Sequence, residues 1–164
     1  MRMRIVVADQ SEARFYDTDH FDSELKLVAR LADPKARLHD RDFNSDRPGR
    51  LFDRAPPATG RRGGVGHHGT GGERHPHKHE AEVFAHQIAA ELENALWQDQ
   101  FKRLVLVASP RFLGQLRAVL PKSLDLSVAA EVRKDLVHAT DAVIRQHVPR
   151  EAFASVVGSP IAGP

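Results

Sequence analysis

Between Gly60 and Lys78 the chain concentrates the side chains best suited to holding an anionic ligand. Arg61, Arg62, Arg74 and Lys78 flank seven of the eleven glycines, and six of the ten histidines lie between His67 and His86. Glycine leaves backbone N–H groups bare and lets the chain bend around a ligand, at an entropic cost. A basic, pliable loop that feeds a helix N-terminus suits phosphate or RNA contact, because the helix end adds its own partial positive charge. The bland alternative is a disordered surface loop. Within it stands Gly71-Gly72-Glu73, placed shortly before the helix.

Three other chemistries can be weighed from the same residues. His75, His79, Glu82 and His86 include helical i, i+3 and i+7 neighbours and could offer nitrogen and oxygen to zinc or nickel. They match no recognised ligand signature, and no cofactor or metal is expected. A metal-dependent nuclease would need several acids at the strand ends. Asp9 could be one, but Ser109 stands where the next would be required. A serine triad is not locatable, since no Gly-x-Ser-x-Gly elbow exists and Ser109-Pro110 has the form of a helix cap. No catalytic residue is assigned. Trp97 and Tyr16 are expected to be packing residues.

Charge supports the anionic-partner reading. The chain carries a formal net charge of only +2. From Arg47 to Lys78, however, there are seven bases against two acids, Asp53 and Glu73, while the remainder has more acids than bases. At 164 residues one domain with one core is expected, spanning 1–148, with a flexible basic insertion at about 40–75 and a frayed tail at 149–164. There is no cysteine, so disulfides and thiolate metal sites are excluded. The apolar run after Met1 is too short for a signal-peptide core, and no stretch has membrane-spanning length. The expectation is a cytoplasmic protein without membrane or DNA partners.

The elements that would position the loop follow from periodicity. Arg4 to Ala8, Ala13 to Tyr16 and Leu25 to Leu31 read as three strands of an antiparallel meander. Nothing periodic survives from Lys35 to Gly72. A long helix then opens at Pro76, with Ala81, Phe84, Ala85, Ile88, Leu92, Ala95 and Leu96 on one side and His79, Glu82, His86 and Glu93 on the other. Arg103 to Ala108 is the most uniformly apolar run, as expected of a strand covered on both faces. A helix after Ser109-Pro110, a strand at Leu126 to Val132 and a last helix capped by Thr140 or Asp141 complete the pattern. The order β-β-β-α-β-α-β-α implies an α/β (α+β) fold of ribonuclease H-like outline, a mixed five-stranded sheet with helices packed on it.

Val7-Ala8-Asp9, Ala13-Arg14-Phe15-Tyr16, Phe84-Ala85, Arg103 to Ala108 and Lys134-Asp135-Leu136 resemble the bacterial host attachment protein family. The most specific part of the likeness is the run Asp46, Arg47, Pro48, Gly49, Arg50, Leu51, Phe52, Asp53. The resemblance implies a fold related to the middle domain of the archaeal and eukaryotic peptide-chain release factor. In that domain a Gly-Gly-Gln tripeptide on a mobile loop precedes the helix and enters the ribosomal peptidyl-transferase centre. Here Gly71 and Gly72 are followed by Glu73, whose carboxylate would be repelled by RNA phosphates. The resemblance therefore implies binding of RNA or the ribosome, in a translation context, through Arg61, Arg62, Gly71, Gly72, Glu73, Arg74 and Lys78. Two alternatives stay open: an adhesion-linked interaction protein that binds a protein or polyanion, and a peptidyl-tRNA hydrolase-like release or rescue factor.

Overall fold

The computed structural model describes residues 2–33 and 76–154. Strands β1 (Met3–Ala8), β2 (Glu12–Thr18) and β3 (Lys26–Ala32) come first. They are followed by α1 (Pro76–Trp97), β4 (Arg103–Ala108), α2 (Pro110–Val119) and the short α3 (Lys122–Asp125). β5 (Val128–Arg133), α4 (Asp141–His147) and a 3-10 turn (Arg150–Phe153) complete the described chain. The strands form one sheet in the order β3-β2-β1-β4-β5. β1 pairs antiparallel with β2, and β2 with β3, while β1–β4 and β4–β5 are parallel. This is the mixed five-stranded sheet with packed helices that the apolar runs imply, with α3 as an added turn of helix.

Each element forms for a local reason. β1 and β4 are apolar runs rich in β-branched residues, which suit strands flanked on both sides and covered on both faces. Asp9 makes the reversal between β1 and β2. Its Oδ1 accepts from the backbone N–H of Ser11 at 2.8 Å and of Glu12 at 2.7 Å, and from Ser11 Oγ at 3.1 Å. The carboxylate is thereby engaged in the turn, which accounts for an acid at the end of β1 without a metal. Proline opens both α1 and α2, where a missing N–H costs nothing. Thr140 caps α4 by accepting from Val143 N–H at 3.4 Å.

Alternation along the strands divides the core in two. Val6, Ala8, Phe15, Leu104 and Leu106 point to the face covered by α1 and α2. There they meet Phe84, Ile88 and Leu92 of α1 and Phe112, Leu113 and Leu116 of α2. Phe84 and Phe112 stack with ring centroids 6.3 Å apart, joining the two helices. Ile5, Val7, Tyr16, Val105 and Val107 point to the opposite face, under Val137, Ile144 and Val148.

Two expectations need correction, the side-chain cap at Ser109 and the packing of Trp97. β4 is an interior strand covered on both faces, as its apolar run implies, and lies beside β1, the middle strand, which is buried along its whole length, including Arg4. Arg4 is tolerated there because its guanidinium makes a two-pronged ion pair with Asp17 at 2.8 and 2.9 Å, bonds Gln100 Oε1, and lies 5.0 Å over the Phe101 ring. Ser109 occupies the N-cap of α2 but makes no side-chain capping bond. Trp97 is 80% exposed and packs against little, because it ends α1 just before the chain turns through Asp99, whose φ is 54°. Of the expected tail, residues 155–164 lie outside the described residues, and Pro149 leads into the 3-10 turn, which packs against the body. Phe153 meets Phe21 edge-on at 5.5 Å, Arg150 lies over the Phe21 ring at 4.6 Å, and Arg103 donates to the Ala154 carbonyl.

Candidate functional site

Of the residues proposed from sequence, Arg61, Arg62, Gly71, Gly72, Glu73 and Arg74 lie outside the described residues. So do the run Asp46, Arg47, Pro48, Gly49, Arg50, Phe52 and Asp53, and the possible ligand His75. What the structure describes is the helix they lead into. α1 is held down by its apolar side, with Ala81, Phe84, Ala85, Ile88 and Leu92 all buried. Its other side is thereby free for polar residues: Lys78, His79, Glu82 and His86 are exposed. The first turn contains no acid. The positive helix end is therefore not neutralised from within its own first turn, and Lys78 adds a full charge to it.

His79, Glu82 and His86 do share that exposed side, as their spacing requires. They do not gather into a metal centre. Among the described residues no three His, Asp or Glu side chains converge closely enough to hold an ion.

A groove of about 360 Å³ runs between α1 and α2 on this side. Glu82 and His86 of α1 form one wall, and Arg111, Gly114, Gln115 and Val119 of α2 form the floor and the other wall. The stacked Phe84–Phe112 pair sets the separation of the helices beneath it. Arg111 is exposed in the first turn of α2, which also lacks an acid. Gln115 stands one turn further on, and its Oε1 is shielded from solvent and has no hydrogen-bond partner among the described residues. A buried acceptor left unmatched is unusual in a folded protein. Gly114 is also unusual, since a glycine inside a helix costs roughly 0.5–1 kcal/mol relative to alanine. No packing among the described residues demands it: a Cβ at that position would meet nothing of theirs within 4 Å.

Arg111, Gly114 and Gln115 were not singled out from the sequence. The signal present there is the i, i+3, i+4 spacing on the wet side of an amphipathic helix, which any solvated face also shows. Only the packing of α2 against α1 turns that stripe into one wall of a groove facing Glu82 and His86.

A model of a protein family described as "Protein required for attachment to host cells" matches residues 4–148. The chain belongs to this family. No curated protein gives a sequence match. Among solved structures, the archaeal translation termination factor aRF1 is similar at 10% identity and a TM-score of 0.48, over 93% of this chain and 36% of that one. A second structure, described as an archaeal protein, is similar at 10% identity and a TM-score of 0.44, over 89% of this chain and 36% of that one. The chain thus spans about a third of the length of either. Among the described residues no helix is long and apolar enough to cross a membrane.

Proposed function

We propose that this member of the family binds RNA, that of the ribosome above all, through the basic Gly/His-rich segment running from Arg61 into the first turn of α1. The observation that carries the reading is the α1 N-terminus, where Lys78 is exposed on a first turn without acids. That turn continues a stretch with seven bases against two acids. A helix end of this kind attracts phosphate through both its free N–H groups and its dipole. The sign and concentration of charge favour a polyanion over a neutral or cationic partner. Glu73 makes binding a better use of the segment than hydrolysis, because a carboxylate held against phosphates opposes attack there.

The test is co-sedimentation with ribosomes, together with binding to single-stranded RNA, across a salt series. Binding should weaken as salt rises. Replacing Arg61, Arg62, Arg74 and Lys78 with alanine should flatten the log–log slope by up to about 3, from four phosphate contacts at about 0.7 each. An unchanged slope would remove the segment from the interface. Glu73→Ala should keep or slightly raise affinity. Peptidyl-tRNA hydrolysis that disappears with Glu73→Ala would instead make the chain an enzyme.

The family description favours a second reading, in which the same charges engage an anionic surface during attachment. A sulfated polysaccharide bound more tightly than RNA, at equal salt and with the same dependence on the four basic residues, would select it.

A further inference from the structure

We infer that the pole of the molecule carrying Trp97 and Leu126 is an interface with a second copy of this chain, Trp97 of each copy seated on Leu126 of the other. The two side chains are 80% and 78% exposed, the most exposed of the large apolar residues among those described. Trp97 closes α1 and Leu126 follows α3, and the two helices meet through Leu96 and Leu124 in one core cluster. Both side chains therefore lie where β4 and β5 begin, at the far end of α1 from Pro76. The inference is independent of the RNA-binding reading, whose residues lead into the opposite end of α1.

Trp97 stands on a rigid mount. The turn after α1 is closed by Gln100 N–H to the Ala95 carbonyl and Asp99 N–H to the Leu96 carbonyl, both at 3.0 Å. Asp99 holds a φ of 54°, a left-handed conformation that strains a residue other than glycine. Gln100 ties the turn to the body: its Oε1 accepts from Arg4 at 3.2 Å, and its Nε2 donates to Gln98 Oε1 at 2.6 Å. An indole on a fixed backbone loses little freedom when a partner covers it. That suits an interface anchor, and tryptophan is among the side chains that most often serve as one.

Charge selects the occupant. Each apolar side chain is bordered by an acid–base pair: Asp99–Lys102 at 3.1 Å beside Trp97, and Arg117–Asp125 at 3.5 Å beside Leu126. With Lys122 added, the rim holds three bases against two acids, close to balance. Such a rim attracts a polyanion weakly, since Lys102 and Arg117 are already engaged by acids. A two-fold axis that laid Trp97 on Leu126 would set one mixed pair against the other, so that acids can meet bases across the interface. A surface that supplies both apolar members of the contact and complements itself in charge fits its own copy.

The experiment is molar mass by light scattering from about 1 to about 100 µM chain, with tryptophan emission read at each concentration. Trp97 is the chain's one tryptophan, so its emission reports on this surface alone. Mass should rise toward two chains as the emission moves to shorter wavelength. Trp97→Ala should weaken association about thirtyfold or more, the loss expected of an anchor residue. Leu126→Asp should do the same, while Val143→Ala, at an exposed apolar residue of α4, should leave association unchanged. Thermal midpoints of the dilute variants check the fold. A mixture of Trp97→Ala with Leu126→Asp keeps one complete Trp97–Leu126 contact in the mixed pair. It should associate more tightly than either variant alone.

A single-chain mass at every concentration would overturn the inference, as would association that neither variant weakens. Emission that shifts on adding RNA while the mass stays that of one chain would overturn it too, giving the surface to nucleic acid instead.

Discussion

The two faces of the sheet are covered in different ways. On one, α1 and α2 lie as two substantial helices whose apolar sides meet the sheet and each other, with Phe84 stacked on Phe112. On the other, the cover is the seven-residue α4, the 3-10 turn Arg150–Phe153 and connecting chain. These short pieces are pinned at their edges by arginines. Arg145 donates to the Asp22 and Ser23 carbonyls, and Arg150 stacks over Phe21. The polar residues of this face lie inward: Glu12 and Arg14 pair at 2.9 Å beside the buried Tyr16, whose hydroxyl also interacts with Asp141. The difference shows that a long amphipathic helix secures itself with one side and leaves the other free for ligands. In a cover made of short pieces, more of the polar groups serve to hold it in place.

The comparison can be broken most severely at Arg4. That residue stands on the α1-covered face, where a charge is tolerated only because it is paired. Asp17→Ala would leave the guanidinium buried beside Gln100 and Phe101 without a counter-charge. A loss of ~3–5 kcal/mol is expected in denaturant unfolding. A loss near that of a surface pair, ~0–1 kcal/mol, would mean that water reaches the site.

Truncation on each side separates the two covers next. Leu106 and Ile144 are both fully buried, the first beneath α1 and α2, the second in α4. Each should cost within ~2–5 kcal/mol on change to alanine, with Leu106 in the upper part of that range and Ile144 in the lower. A short helix can settle into the space it vacates, whereas the packed helix pair cannot. Equal losses would show that both covers are equally rigid.

The smallest effect concerns Tyr16, the chain's one tyrosine, so phenolate absorbance reports on it alone. Burial, first of all, raises its pKa above the ordinary value near 10; the hydrogen bond from Arg14 opposes this, and the Asp141 carboxylate adds to it. Because the folded value is raised, the linked stability is fully present below the unfolded pKa and is lost as pH climbs through the folded one. Asp141→Asn should move the titration back toward 10 by removing the negative charge. No movement would mean that burial acts without help from that charge.

The sequence by itself determined the elements and their inward sides. Ile5 to Ala8 and Leu104 to Ala108 are apolar at every position, and α1 repeats its apolar residues through Phe84, Ile88 and Leu92, so local periodicity already states which side must leave water. It also determined the uneven charge, which is a property of composition and needs no fold. Tertiary structure alone decided which distant residues meet. Arg4 finds Asp17 because β1 and β2 are paired in one register, with those two residues opposite each other. Trp97 is left in solvent and Ala152 taken out of it by where neighbouring elements end. The groove exists because Glu82 and His86 on α1 come to face Arg111 and Gln115 on α2. Periodicity repeats within a few residues and is therefore visible along the chain, whereas a site shared by two helices depends on their separation, and here that is set by the aromatic pair packed between them.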